Sequence, residues 1–111
     1  MKITTSVTEN KTVLLEVKGE VDAHTACKLE EALTDLLAQG HSRLVLDVSQ
    51  VEYISSTGLR VLLEAQREAR GLGGEVRLFG PKTPVRRVIE LAGFERLLYI
   101  SDSREEAMED W

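Results

Sequence analysis

The chain has 111 residues, of which 42% are hydrophobic and 30% charged, and its net charge is −5 at pH 7. This length supports about one hydrophobic core, so residues 1–111 are expected to form a single domain, and the acidic balance argues against binding to nucleic acid. The single cysteine excludes an internal disulfide, and the lack of a long apolar run or signal peptide predicts a cytoplasmic protein.

Two strands are predicted at the start of the chain. Hydrophobic and polar residues alternate over Thr12–Lys18, which is typical of a half-buried strand, and Gly19 is expected to end it. The segment Lys2–Val7 is expected to pair with it across a turn at Glu9–Lys11. Because the turn is short, this pair should be antiparallel.

The spacing then changes to that of a helix. One apolar stripe contains Ala26, Leu29, Leu33, Leu36 and Leu37. Asp22 is the predicted N-cap and Gly40 the predicted end of this helix. The apolar run within Arg43–Val48 then predicts a central strand that is covered on both faces.

A second helix is predicted to begin near Thr57 and to end in a glycine-rich break that starts at Gly71. Its apolar face contains Leu59, Leu62, Leu63, Gln66 and Ala69. Its polar face contains Arg60, Glu64, Arg67 and Glu68. This division of residues is typical of an amphipathic helix that packs on a sheet.

The remaining elements are short. A strand is predicted at Glu75–Phe79, then a helix in which Thr83 is the cap and Pro84 the first helical residue, and then a strand at Leu97–Ile100. Ser103 and Glu106 have the spacing of a capping box that opens a final helix. Together these elements predict an α/β domain with a mixed four- to five-stranded β-sheet packed with about four helices.

The residues offer little for catalysis. Cys27 follows His24 by three positions, but a lone cysteine beside an apolar stripe is usually a packing residue. No set of convergent metal ligands is evident, and the glycines after Gly71 follow a helix and lack the ending of a phosphate-binding loop. We therefore predict no catalytic residues, no metal and no cofactor.

The hydroxyl cluster Ser55–Thr57 lies between the central strand and the second helix. Serine and threonine are good N-caps, because their oxygens accept hydrogen bonds from amides of the first turn. One cap needs only one hydroxyl, and the start of a helix at the carboxyl edge of a sheet is where α/β domains place their sites. Capping and modification both remain open from these residues alone.

Three motifs resemble those of the STAS domain family. Asp47-Val48-Ser49, followed by Ser55-Ser56-Thr57-Gly58-Leu59, is similar to the family's strand-to-helix signature. Gly19-Glu20-Val21-Asp22 resembles the loop before the family's first helix, and Val85–Phe94 resembles its penultimate helix. The resemblance implies a STAS-like fold and, within the family, an anti-sigma factor antagonist from a bacterium.

The resemblance also implies a mechanism. Family antagonists bind an anti-sigma factor that is a serine kinase; the kinase phosphorylates the first hydroxyl after the signature aspartate, and a serine phosphatase restores binding. The corresponding hydroxyl here is that of Ser56. The chain departs from the pattern at Ser55, which stands where the family usually has aspartate.

The expected partner surface joins the loop before the first helix to the start of the second. It comprises Asp22, His24, Thr25, Ser55, Ser56, Thr57, Gly58, Arg60 and Glu64. A weak homodimer is a further possible assembly. Two alternatives stay open: a nucleotide-sensing module, and a STAS interaction module in a signalling complex without a sigma factor.

Overall fold

The computed structural model describes residues 1–8, 10–109 and 111, and it contains one five-stranded sheet. The strands lie in chain order: β1 (Lys2–Val7), β2 (Val13–Val21), β3 (Arg43–Ile54), β4 (Glu75–Phe79) and β5 (Tyr99–Ser101). β1 and β2 are antiparallel and all other neighbours are parallel. The predicted turn between β1 and β2 includes Glu9, which lies outside the described residues.

Four α-helices accompany the sheet in the described part of the chain. They are α1 (Ala26–Ala38), α2 (Ser56–Gly71), α3 (Thr83–Leu91) and α4 (Arg104–Met108), and a short 3-10 helix covers Phe94–Arg96. The prediction of an α/β fold with a mixed sheet and about four helices is confirmed.

The two faces of the sheet are covered unequally. The main core lies on the face that carries α1, α2 and α3, where Leu33, Leu62 and Ile89 pack against strand residues such as Leu46. The opposite face has a smaller cluster, in which Ala107 of α4 packs with Leu14, Val45 and Phe79. This explains why β3 is apolar on both sides over its first half.

Both inner strands extend further than predicted. Gly19 does not end β2, because it pairs with Val51 while Val21 pairs with Ile54. Gly19 has φ +97°, a conformation that glycine adopts without strain, and it lies where the register of the pair shifts. The predicted end of β3 at Val48 was wrong because β3 continues along β2 beyond that residue. Val51 and Ile54 both pair with β2 and are buried in the main core.

Three predictions at element ends were also wrong. Thr25, rather than Asp22, is the N-cap of α1, and Lys82, rather than Thr83, is the N-cap of α3. The last strand is shifted to Tyr99–Ser101, because the chain first forms the 3-10 helix. The predicted Ser103 cap is confirmed, since its Oγ accepts a hydrogen bond from the Glu106 amide at 3.2 Å.

Two buried polar side chains connect the sheet to other elements. Gln66 is 2% exposed, and its Oε1 accepts from the Val76 amide at 2.6 Å. Arg77 is buried with its guanidinium centre 3.8 Å from the Trp111 ring and 4.6 Å from the Tyr99 ring, and it donates to the carbonyls of Ala107 and Glu109. These contacts hold the C-terminal segment on the outer face of the sheet.

Candidate functional site

The two predicted halves of the site meet at the carboxyl edge of the sheet. β2 and β3 are parallel, so the segments that follow Val21 and Ile54 emerge side by side. A hydrogen bond from the Ser55 amide to the Val21 carbonyl, 2.8 Å long, joins them directly. The structure therefore brings the loop before α1 and the start of α2 together, as the sequence predicted.

Ser55 is the hydroxyl that caps α2. Its Oγ accepts from the Gly58 amide at 3.1 Å, and its carbonyl accepts from the Leu59 amide at 3.0 Å. The predicted start of the helix near Thr57 is thus displaced by one residue, to Ser56. The neutral Ser55 supplies the cap that an aspartate could also supply.

Ser56 is consequently free of the capping role. It is the first residue of α2 and its side chain is exposed. Within the described residues, the backbone amides of Ser56 and Thr57 have no hydrogen-bond acceptor. Such amides at a helix start favour a negatively charged group nearby. The exposed Ser56 hydroxyl is a position at which such a group could be attached.

Gly58 allows α2 to approach the strands closely. A Cβ atom at this position would lie 2.8 Å from Val21 Cγ1 and 3.0 Å from Ile54 Cγ1. Both atoms belong to β-branched side chains in the main core, which have little freedom to move. The glycine therefore fixes the height of the helix start above the ends of both strands.

Replacing Gly58 by alanine is expected to destabilise the protein by about 1–3 kcal/mol, because the added methyl group overpacks this contact. The loss exceeds the gain in helix propensity, which is about 1 kcal/mol or less. Chemical denaturation measures the difference. Gly71→Ala is the matched control, since a Cβ there meets nothing within 4 Å and should not destabilise α2. Equal stability of the two variants would contradict this packing role.

Asp22 organises the neighbouring loop instead of capping α1. Its Oδ1 accepts from the amides of His24 and Thr25, both at 2.9 Å, and from the Thr25 hydroxyl at 3.1 Å. The Thr25 amide is the main cause that lowers the pKa of Asp22 below its usual value. The carboxylate is therefore charged at neutral pH, and it keeps His24 at the exposed tip of the loop.

The remaining predicted residues extend the surface along α2. Arg60 and Glu64 are exposed, one and two turns beyond Ser56. The sequence interpretation missed Tyr53, which is 49% exposed and pairs with Glu20 across β2 and β3. It was missed because β3 was expected to end before Tyr53; the strand-favouring residue types of Val51, Tyr53 and Ile54 were the available signal.

No group of metal-binding residues was found in the described part of the chain. The interpretation of Cys27 as a packing residue is wrong: Cys27 is exposed on α1, and its Sγ donates to the His24 carbonyl oxygen at 3.1 Å. None of the helices in the described ranges has both the length and the apolarity to cross a membrane.

Comparisons with known proteins agree with this geometry. The family model described as the STAS domain matches residues 2–107. BtrV of Bordetella bronchiseptica, named as a candidate anti-sigma factor antagonist, is 38% identical over 91 residues, which cover 82% of this chain and 78% of BtrV. The anti-sigma-F factor antagonist RsfB of Mycobacterium tuberculosis is 32% identical over 107 residues, 96% of this chain and 87% of RsfB.

A solved structure shows the same fold. The crystal structure of a Thermotoga maritima protein, also named as a candidate anti-sigma factor antagonist, superposes with a TM-score of 0.89 at 28% identity, covering 96% of this chain and 92% of that one. The family match, the two sequence relatives and the shared fold each cover more than four fifths of this chain. The chain belongs to the STAS domain family, among its anti-sigma factor antagonists.

Proposed function

We propose that this protein binds an anti-sigma factor that is also a serine kinase, and that phosphorylation of Ser56 by this kinase ends the complex. The observation that carries the proposal is the division of roles at the start of α2. Ser55 provides the cap, so the neighbouring Ser56 is exposed beside the Asp22–Thr25 loop. The names of the relatives supply the class of partner.

The phosphate would be compatible with the fold. It adds a charge of about −1.5 to −2 at pH 7 at a helix N-terminus, where negative charge stabilises by roughly 0.3–1 kcal/mol. Arg60 is one helical turn away, so it adds a cation on the same side. The partner is then released because the phosphate disrupts the interface, and the domain does not need to unfold.

In this proposal the protein is a substrate and a binding module. It performs no catalysis, and a serine phosphatase regenerates the binding form in the cytoplasm. The Asp22–Thr25 loop, with His24 exposed at its tip, and the first turns of α2 form the surface that contacts the kinase. We name these residues, with Ser55, Ser56, Thr57, Arg60 and Glu64, the carboxyl-edge surface; Gly58, the remaining predicted residue, is buried beneath it.

Charge reversal tests whether this surface binds the partner. Arg60 is exposed and forms no salt bridge within the described residues. Arg60→Glu should weaken binding to the cognate anti-sigma factor by about tenfold, or ~1.4 kcal/mol, in a calorimetric titration. Reversal of Asp22 is a less clean test, because it would also remove the hydrogen bonds that organise the loop.

Arg96→Glu is the matched control. Arg96 is exposed in the 3-10 helix that precedes β5, and hence lies toward the opposite, amino edge of the parallel strands. The same charge change there should leave binding within about twofold of wild type. A larger effect at Arg96 than at Arg60 would place the partner elsewhere, and an absence of any binding would refute the proposed function.

A further inference from the structure

Within the residues that the structure describes, the outer edge of β1 is an unprotected strand edge. β1 pairs with β2 on one side only, because it is the first strand of the sheet. Its sequence, KITTSV, has no proline and its pairing with β2 has no bulge. Its single charge, on Lys2, lies at the start of the strand. Natural sheets usually block such edges with prolines, bulges or charges, since free amides and carbonyls pair readily with another chain.

The pairing with β2 shows which backbone groups face outward. The Thr8 amide donates to the Thr12 carbonyl at 2.7 Å, and this pair continues the register in which Val7 opposes Val13. Alternate residues of an antiparallel strand point to the same side. Lys2, Thr4 and Ser6 therefore bond to β2, and the amides and carbonyls of Ile3, Thr5 and Val7 point away from the sheet.

The side chains of these outward residues lie on the face of the main core. Ile3, Thr5 and Val7 oppose Val17, Leu15 and Val13, which are all buried in that core. Ile3 is partly buried against it, whereas Thr5 is exposed and Val7 is 64% exposed. The helices thus leave the end of this edge uncovered, and an apolar side chain remains in solvent beside free backbone groups.

We propose that two copies of this chain pair through β1, antiparallel, about a two-fold axis at Thr5. In this register Thr5 opposes Thr5 of the partner subunit and Ile3 opposes the partner's Val7, so every outward amide and carbonyl of these residues gains a partner. The exposed Val7 side chain gains an apolar neighbour, and the two sheets become continuous. A shift by one residue would oppose outward groups to inward ones, and a shift by two would leave part of the edge unpaired.

The two-fold axis gives a sharp test, because a charge at residue 5 meets its own copy. Wild-type protein should dimerise in sedimentation equilibrium at concentrations up to about 1 mM, a range that detects even a millimolar dissociation constant. Thr5→Lys and Thr5→Glu should each weaken the dimer by about fivefold or more, since like charges oppose directly. An equimolar mixture of the two variants should dimerise more tightly than either alone.

Thr4→Lys is the matched control, because residue 4 lies on the other face and would oppose the partner's Ser6, not itself. It should change dimerisation less than Thr5→Lys does. Amide hydrogen exchange gives an independent readout: protection of Ile3, Thr5 and Val7 should rise with protein concentration, while that of Thr4 and Ser6 stays constant. A protein that stays monomeric throughout, or a variant mixture no tighter than its components, would overturn the proposal.

Discussion

Phosphorylation of Ser56 is expected to weaken binding to the anti-sigma factor kinase by about a thousandfold. A dianion placed in an interface that fits a hydroxyl loses several kcal/mol through desolvation and like-charge repulsion, and about 4 kcal/mol corresponds to this factor. Titration calorimetry with phosphorylated and unphosphorylated protein measures the ratio. Peptide mass mapping should locate a single phosphate on Ser56.

Two variants separate the switch from general damage. Ser56→Ala should abolish phosphorylation while the protein still binds, and Ser56→Asp should bind weakly yet melt close to the wild-type temperature, because the start of α2 accepts negative charge. The exposure of Ser56 and the capping by Ser55 both support this expectation. A phosphate on Thr57 or Ser49 with Ser56 unmodified, or gross unfolding of Ser56→Asp, would contradict the assignment.

Ser55→Asp is expected to speed phosphorylation of Ser56, by up to about a hundredfold. Aspartate caps a helix as well as serine does, so the hydrogen bond to the Gly58 amide should persist. An aspartate could in addition orient the neighbouring hydroxyl or help to hold a metal ion at the kinase's nucleotide, and poor positioning costs on the order of a hundredfold in rate. Single-turnover kinetics with the cognate kinase measures the change.

Ser55→Asn is the matched control for charge. Asparagine has the size of aspartate and is an equally good N-cap, but it is neutral. If the carboxylate itself positions the reaction, the Ser55→Asn variant should react at the wild-type rate, while binding of both unphosphorylated variants stays near wild type. Slower transfer to Ser55→Asp would mean that the native kinase is adapted to a neutral residue at this position.

The sequence by itself determined the order of elements and the place of the candidate site. Apolar periodicity predicted the segments that became β2, α1 and α2, because a helix and a strand impose different repeats on the residues that face a core. The position of Ser55–Gly58 between a buried strand and an amphipathic helix placed it at the carboxyl edge of the sheet. Family motifs added the role of Ser56, which stays a prediction until phosphorylation is measured.

Only the tertiary structure decided which hydroxyl caps α2 and where the strands end. Ser55, Ser56 and Thr57 have similar local preferences, and the choice depends on the hydrogen bond that holds the Ser55 amide against Val21 of another strand. Likewise, β2 continues through Gly19 because β3 lies beside it, a partner distant in sequence. Local preferences are weak compared with such contacts, so periodicity located the elements and packing set their ends.

The partners of the buried polar side chains also could not be predicted from the sequence. The sequence puts Gln66 on the apolar face of α2, where a polar side chain has no evident role. In the structure its Oε1 accepts a hydrogen bond from the Val76 amide. The predicted strand Glu75–Phe79 assigned no role to Arg77, yet the rings of Tyr99 and Trp111 enclose this side chain. A buried polar side chain must find its partners. Those partners lie 10 to 31 residues away for Gln66, so only the folded chain brings them together.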